Sequence, residues 1–141
     1  YFEPENKVTD IKSSLSYLAK IVKRRAIIFV ISDFLSDDFK KPLRILKSRH
    51  DMILVNINDP RELQIPDVGY IELEDEETGE QVLVNTSDES FRKDYKALAA
   101  KKYNSLKNIL NRINVDMIQL RSDEPYEVPL KKFFRMRLRK G

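Results

Sequence analysis

No cysteine occurs among the 141 residues, which rules out disulfides and thiolate metal sites. That absence fits a reducing compartment. The chain has one histidine, His50, at a predicted helix end between Arg49 and Asp51. With no second histidine or nucleophile beside it, a capping or helix-dipole role is expected there rather than catalysis. The three glycines form no phosphate-cradling loop. The longest apolar run, Ala26 to Ile31, falls far short of the roughly 20 residues that span a bilayer. No charged-then-apolar signal segment opens the chain. These absences predict a cytoplasmic protein with no membrane partner. An excess of charge is missing too: 26 basic against 23 acidic residues leave +3, too mild a balance to imply nucleic-acid binding.

What is present is one domain's worth of chain, residues 1–141, with 41% hydrophobic and 35% charged residues. Thr9 and Asp10 offer oxygen caps for a first helix. Ile11, Leu15, Leu18, Ile21 and Val22 recur at helical spacing behind them, and Lys23, Arg24 and Arg25 suit its negative end. Ala26 to Ile31 is short, rich in β-branched residues and without alternation, which predicts a parallel strand covered on both faces. Ser36, Asp37 and Asp38 open a second helix carrying Phe39, Leu43, Ile45 and Leu46, with Pro42 near its start. Met52 to Ile57 reads as a second buried strand, completing a βαβ unit. VGYIELE and QVLVNT, within residues 68–86, flank an acidic turn with Gly79 and predict an antiparallel hairpin. A long helix is expected over 88–113 with Phe91, Tyr95, Leu98, Leu106, Ile109, Leu110 and Ile113 buried. A last strand is expected over 115–120. From Tyr126 a basic tail should form a helix with Leu130, Phe133, Phe134 and Leu138 facing inward.

Ligands of open parallel sheets sit beyond the C-terminal ends of the strands. Asp33, Asp59 and Asp123 occupy such ends. Aspartate there most often caps the next helix, and Asp33 by itself carries no more than that. Together with Thr9 and Asp10 it becomes an oxygen set of the kind hard cations prefer.

KVTDIKSSLSYLAKIVKRRAIIFVISDF resembles the middle of a von Willebrand factor A-type domain, where "TD" and "ISD" carry two of the three elements of a metal-ion-dependent adhesion site. More narrowly, ISDFLSDDF, the helix ending SRHD, NDPRELQIPDVGYIELEDEETGE and FRKDY resemble an uncharacterised bacterial family of such domains, usually encoded beside MoxR-type AAA+ ATPases. The likeness covers nearly all of the chain. It implies an α/β fold of the von Willebrand A or Rossmann-like kind: a mostly parallel sheet, flanking helices and an inserted antiparallel hairpin. It also implies Thr9 and Asp33 as metal-site residues, Asp33 acting through water, with Asp10 and Ser32 in supporting or capping roles. The family's first element, an Asp-x-Ser-x-Ser loop, is absent from these residues. The chain is therefore expected to be part of a longer domain, with an incomplete site that holds no metal alone and Mg or Mn when complete.

The function expected is protein docking rather than catalysis, with a MoxR-type ATPase as associate in assembling or remodelling other proteins. Two alternatives come from the residues themselves: metal-dependent phosphoryl transfer using Asp33, and nucleic-acid binding by the basic C-terminal tail. With part of the sheet missing, strand 26–31 should also expose an edge and pair two copies of the chain.

Overall fold

In the computed structural model, which describes residues 10–34, 38–60, 64–74 and 78–140, the first helix begins at an aspartate cap. Asp10 accepts the Ser13 N–H at 3.0 Å and also binds the Ser13 hydroxyl, satisfying donors that helix α1 (Ile11–Ile21) cannot pair internally. Ile11 and Leu15 are buried, one turn apart. Strand β1 (Ile27–Ser32) follows, then α2 (Lys40–Lys47), whose Leu43 and Leu46 are buried together with Phe39 just ahead of it. Pro42 sits in the first turn of α2, where its missing N–H costs nothing. The two helices pack on one another, and exposed Lys12 meets Asp38 at 3.3 Å.

Strand β2 (Asp51–Asn58) runs parallel to β1, in register from Ile27 opposite Asp51 to Ser32 opposite Asn56. The hairpin strands are β3 (Tyr70–Glu74) and β4 (Gln81–Asn85), paired antiparallel. Helix α3 (Glu89–Arg112), strand β5 (Asp116–Arg121) and helix α4 (Glu127–Lys140) complete the described elements. The main sheet is parallel with order β1-β2-β5, so the fold is α/β, a parallel sheet with helices plus an antiparallel hairpin. The chain forms two compact units, one of Tyr1–Asn56 with Leu110–Ile118, the other of Ile57–Ile109 with Gln119–Gly141.

Central β2 is the strand that the two-sided apolar pattern describes. Met52, Ile53 and Leu54 have no exposed surface. β1 does not follow the pattern. Ile27, Phe29 and Ile31 remain 62%, 46% and 63% exposed, so the expected cover on both faces is confined to β2. The reason lies in sheet order: among the described residues β1 is a terminal strand, with a neighbour on one side. An uninterrupted apolar run tells how a strand is composed, not where it stands in the sheet.

Other departures have the same origin. Ile21, Ile45, Leu98, Phe134 and Leu138 share helical spacing with buried residues yet lie exposed, Leu138 at 81%. Periodicity sets the face of a helix; the length of that face that is covered depends on its neighbours. In α4 the apolar anchor is Phe133, buried, with Phe134 edge-on at 5.4 Å and the Arg137 guanidinium over its ring at 5.3 Å.

The base of the hairpin is closed by a side chain that the hydrophobic pattern passes over. Thr86, fully buried, accepts the Val68 N–H at 3.0 Å and donates its hydroxyl to the Gly69 carbonyl. Arg92 binds the Thr86 carbonyl at 2.6 Å and pairs with Asp67 at 3.5 Å, while the Ser87 hydroxyl donates to Asp67 at 2.6 Å. The hairpin is thereby tied to the first turns of α3. Gly79, in the connection between β3 and β4, stands at φ +71°, a left-handed backbone that glycine adopts without steric cost.

Candidate functional site at the end of strand β1

Asp33 leaves the C-terminal end of β1 with its carboxylate exposed. The next residue explains how it is presented. Phe34 has φ +53°, a left-handed backbone that a bulky side chain rarely adopts. Such a conformation costs on the order of 1–3 kcal/mol. Burying the Phe34 ring, 5.5 Å from that of Phe39, contributes a comparable amount, about 1.5–3 kcal/mol. The Ser32 hydroxyl ties the turn from the other side: it accepts the Phe34 N–H at 3.2 Å and lies 3.4 Å from Asp33 Oδ1. The chain turns sharply after the strand, the phenylalanine goes inward and the aspartate stays outside.

Ser32 and Asp33 are thus brought together as adjacent oxygen donors. Both carboxylate oxygens of Asp10 are engaged by Ser13. Its pKa is held below the ordinary value, first by the Ser13 hydroxyl and then by the Ser13 N–H. Asp10 is the helix cap that its position predicted. Thr9 lies outside the described residues. Among those described, no group of three or more His, Cys, Asp or Glu side chains is arranged to hold a metal ion. Oxygen chemistry at Ser32 and Asp33 suits a hard cation such as Mg or Mn in kind, although such an ion needs about six ligands.

The other strand ends are built differently. Asp59 follows β2 and is half-buried. Asp123 is taken by Arg121, which donates from Nε and Nη2 at 3.1 Å each, a two-pronged pair. That pairing, with Glu124 nearby, raises the Arg121 pKa further above its ordinary value. His50 is buried, and its Nδ1 accepts the Ala26 N–H at 3.2 Å. It connects the start of β2 to the start of β1.

A model of the family described as "Protein of unknown function DUF58" matches residues 1–105, most of the chain and all of the region holding Ser32 and Asp33. The chain belongs to the DUF58 family. Similar proteins include the uncharacterized protein MAV169 of Mycobacterium avium, 28% identical over 131 residues, covering 92% of this chain and 77% of that protein. The uncharacterized proteins Mb1516 of Mycobacterium bovis and Rv1480 of Mycobacterium tuberculosis are also 28% identical over 131 residues, with 92% of this chain aligned. The chain spans 41% of the length of those two relatives. No solved structure matches it.

For this DUF58 chain, Asp33 was legible as a strand-end carboxylate, but the residue that presents it was not. Phe34 carries no turn signal, since glycine or asparagine is the usual occupant of a left-handed position. Its role exists only because Phe39 and the surrounding core receive its ring.

Proposed function

We propose that this DUF58 chain is a von Willebrand factor A-like protein-docking module, built around a metal-ion-dependent adhesion site to which it contributes Asp33 and Thr9. Ser32 supports Asp33, and Asp10 caps the adjoining helix. Thr9 and Asp33 would hold Mg or Mn, which would supply a Lewis-acidic point for a carboxylate of the partner protein. The partner suggested by the resemblance is a MoxR-type AAA+ ATPase, acting with this module in assembling or remodelling other proteins.

The observation that carries the reading is the outward presentation of Asp33 by a strained turn whose neighbours, Ser32 and Phe34, hold it in place. A carboxylate needed only as a helix cap requires no such turn. The test is thermal melting of the full-length protein with and without Mg or Mn, beside Asp33→Ala and the β3 surface variant Glu74→Ala. Wild type and Glu74→Ala should melt higher with metal, because an ion bound only by the folded state stabilises it by mass action. Asp33→Ala should lose that response and the binding of the ATPase while remaining folded. A wild type without a metal response, or an Asp33→Ala that keeps one in full, returns Asp33 to a strand-end cap.

A further inference from the structure

Helix α4 turns a face of cations and apolar side chains toward solvent. Apart from Glu127, its sequence EVPLKKFFRMRLRK holds only basic and apolar residues. Six basic residues against one acidic make the helix more positive than the whole chain, whose net charge is +3. Phe133 anchors one side in the fold, with the Arg137 guanidinium over its ring. On the opposite side Lys131, Arg135 and Arg139 follow one another at i,i+4, all exposed. Val128 and Leu138 lie in the same arc and are exposed too, with Lys132 and Met136 at its margin.

Two observations set this face apart from an ordinary solvated one. Cations at i,i+4 repel each other, and among the described residues Lys131, Lys132, Arg135 and Arg139 have no carboxylate in ion-pair range. The helix dipole accounts for the basic last turn, Arg137, Arg139 and Lys140. It does not account for Lys131 and Lys132 in the first half of the helix. α4 follows β5, at the opposite end of the strand order from β1, the strand beside which the resemblance places the missing part of the sheet.

We propose that α4 docks this chain on an anionic lipid surface. Its cations meet the charged headgroups, and Val128 and Leu138 enter the boundary with the acyl chains beside the long basic stems. The chemistry of the helix separates lipid from other polyanions. It carries no Ser, Thr, Asn, Gln or His to read a base edge or to complete the hydrogen bonds of a protein rim. Nucleic acid or an acidic peptide would use the charges and leave the apolar side chains idle. Among the described residues no helix is long and apolar enough to cross a membrane, but contact along the surface needs none. The expectation of no membrane partner rested on the missing span and does not extend to such contact. The proposal is independent of the docking reading at Asp33, and a negative metal test leaves it standing.

The experiment is co-sedimentation of the 141-residue chain with phosphatidylcholine vesicles, with and without phosphatidylserine. Binding is expected only to the mixed vesicles, and it should fall as salt rises. Lys131→Gln combined with Arg135→Gln should weaken it by about thirtyfold, the effect of two surface cations. Lys96→Gln combined with Lys107→Gln, exposed positions on α3, should bind nearly as wild type does. The chain has no tryptophan, so Leu138→Trp gives a clean second readout. Its emission should shift to the blue on the mixed vesicles, whereas that of Tyr70→Trp, exposed on β3, should not. No binding to the mixed vesicles, an unmoved emission at 138, or equal losses in the α3 and α4 variants overturns the proposal. So does tighter binding to a nucleic-acid duplex or a polyglutamate peptide than to the vesicles.

Discussion

The backbone N–H of Ala26 donates to Nδ1 of His50 across 3.2 Å, joining the residue before β1 to the residue before β2. The Asp51 N–H returns a bond to the Ala26 carbonyl at 2.9 Å, so both backbone groups of Ala26 are satisfied at the bottom of the parallel pair. The contact also sets the imidazole tautomer, since an accepting Nδ1 leaves the ring proton on Nε2.

His50→Leu keeps most of the buried volume and leaves the Ala26 N–H without its acceptor. The Ala26 donor is part-buried, and the change also removes His50 Nε2, a buried nitrogen without a partner among the described residues. A loss of only about 1 kcal/mol is therefore expected. Denaturant unfolding measures it. A change near zero would show that water replaces the imidazole at no cost and that the contact is incidental.

The Asp10 cap should be sensitive to pH. Hydrogen bonds from Ser13 depress the Asp10 pKa in the folded state. A carboxylate depressed in this way stabilises the fold fully above its unfolded pKa, and the contribution is lost as pH falls through the folded value. Asp10→Ala should therefore unfold more easily than wild type at neutral pH, with the gap closing in acid. Asp10→Asn, which keeps an acceptor but no titration, should show a smaller and flatter difference. A gap that stays constant with pH would separate the cap from the charge of Asp10.

Thr86 serves the hairpin through its hydroxyl rather than its methyl group. Thr86→Val preserves shape but leaves the Val68 N–H without its acceptor, while the Gly69 carbonyl keeps the residue 86 N–H at 2.8 Å. It should cost about 1–3 kcal/mol. Thr86→Ser should cost less. Amide exchange at Val68 gives the local readout: it should accelerate in the valine variant and stay slow in the serine variant.

Adjacent phenylalanines in α4 should behave unequally. Phe133→Ala removes a buried ring and should cost about 3 kcal/mol. Phe134→Ala, at 43% exposure, should cost distinctly less, and Leu138→Ala almost nothing. Equal losses at 133 and 134 in thermal melting would contradict this placement of the helix.

Local chemistry wrote several features of this protein into its sequence directly. Asp10 caps α1 because a short acceptor at that position satisfies orphan N–H groups regardless of what packs nearby. The β2 run, the hairpin and the long α3 follow from periodicity, which is a property of neighbouring residues. Tertiary structure alone decided which apolar residues were covered. Ile28 to Val30 and Ile53 to Val55 look alike in sequence, yet Ile53 to Val55 is buried and β1 shows its Ile27, Phe29 and Ile31 face to solvent. Sheet order, set by contacts far apart in the chain, separates them. The left-handed turn at Phe34 is of the same kind. No local preference favours it, and it persists because Phe39, brought close by the fold, supplies a place for the ring. Asp33 stands outside the sheet as a consequence, its residue type written in the sequence and its exposure set by packing on the far side of the turn.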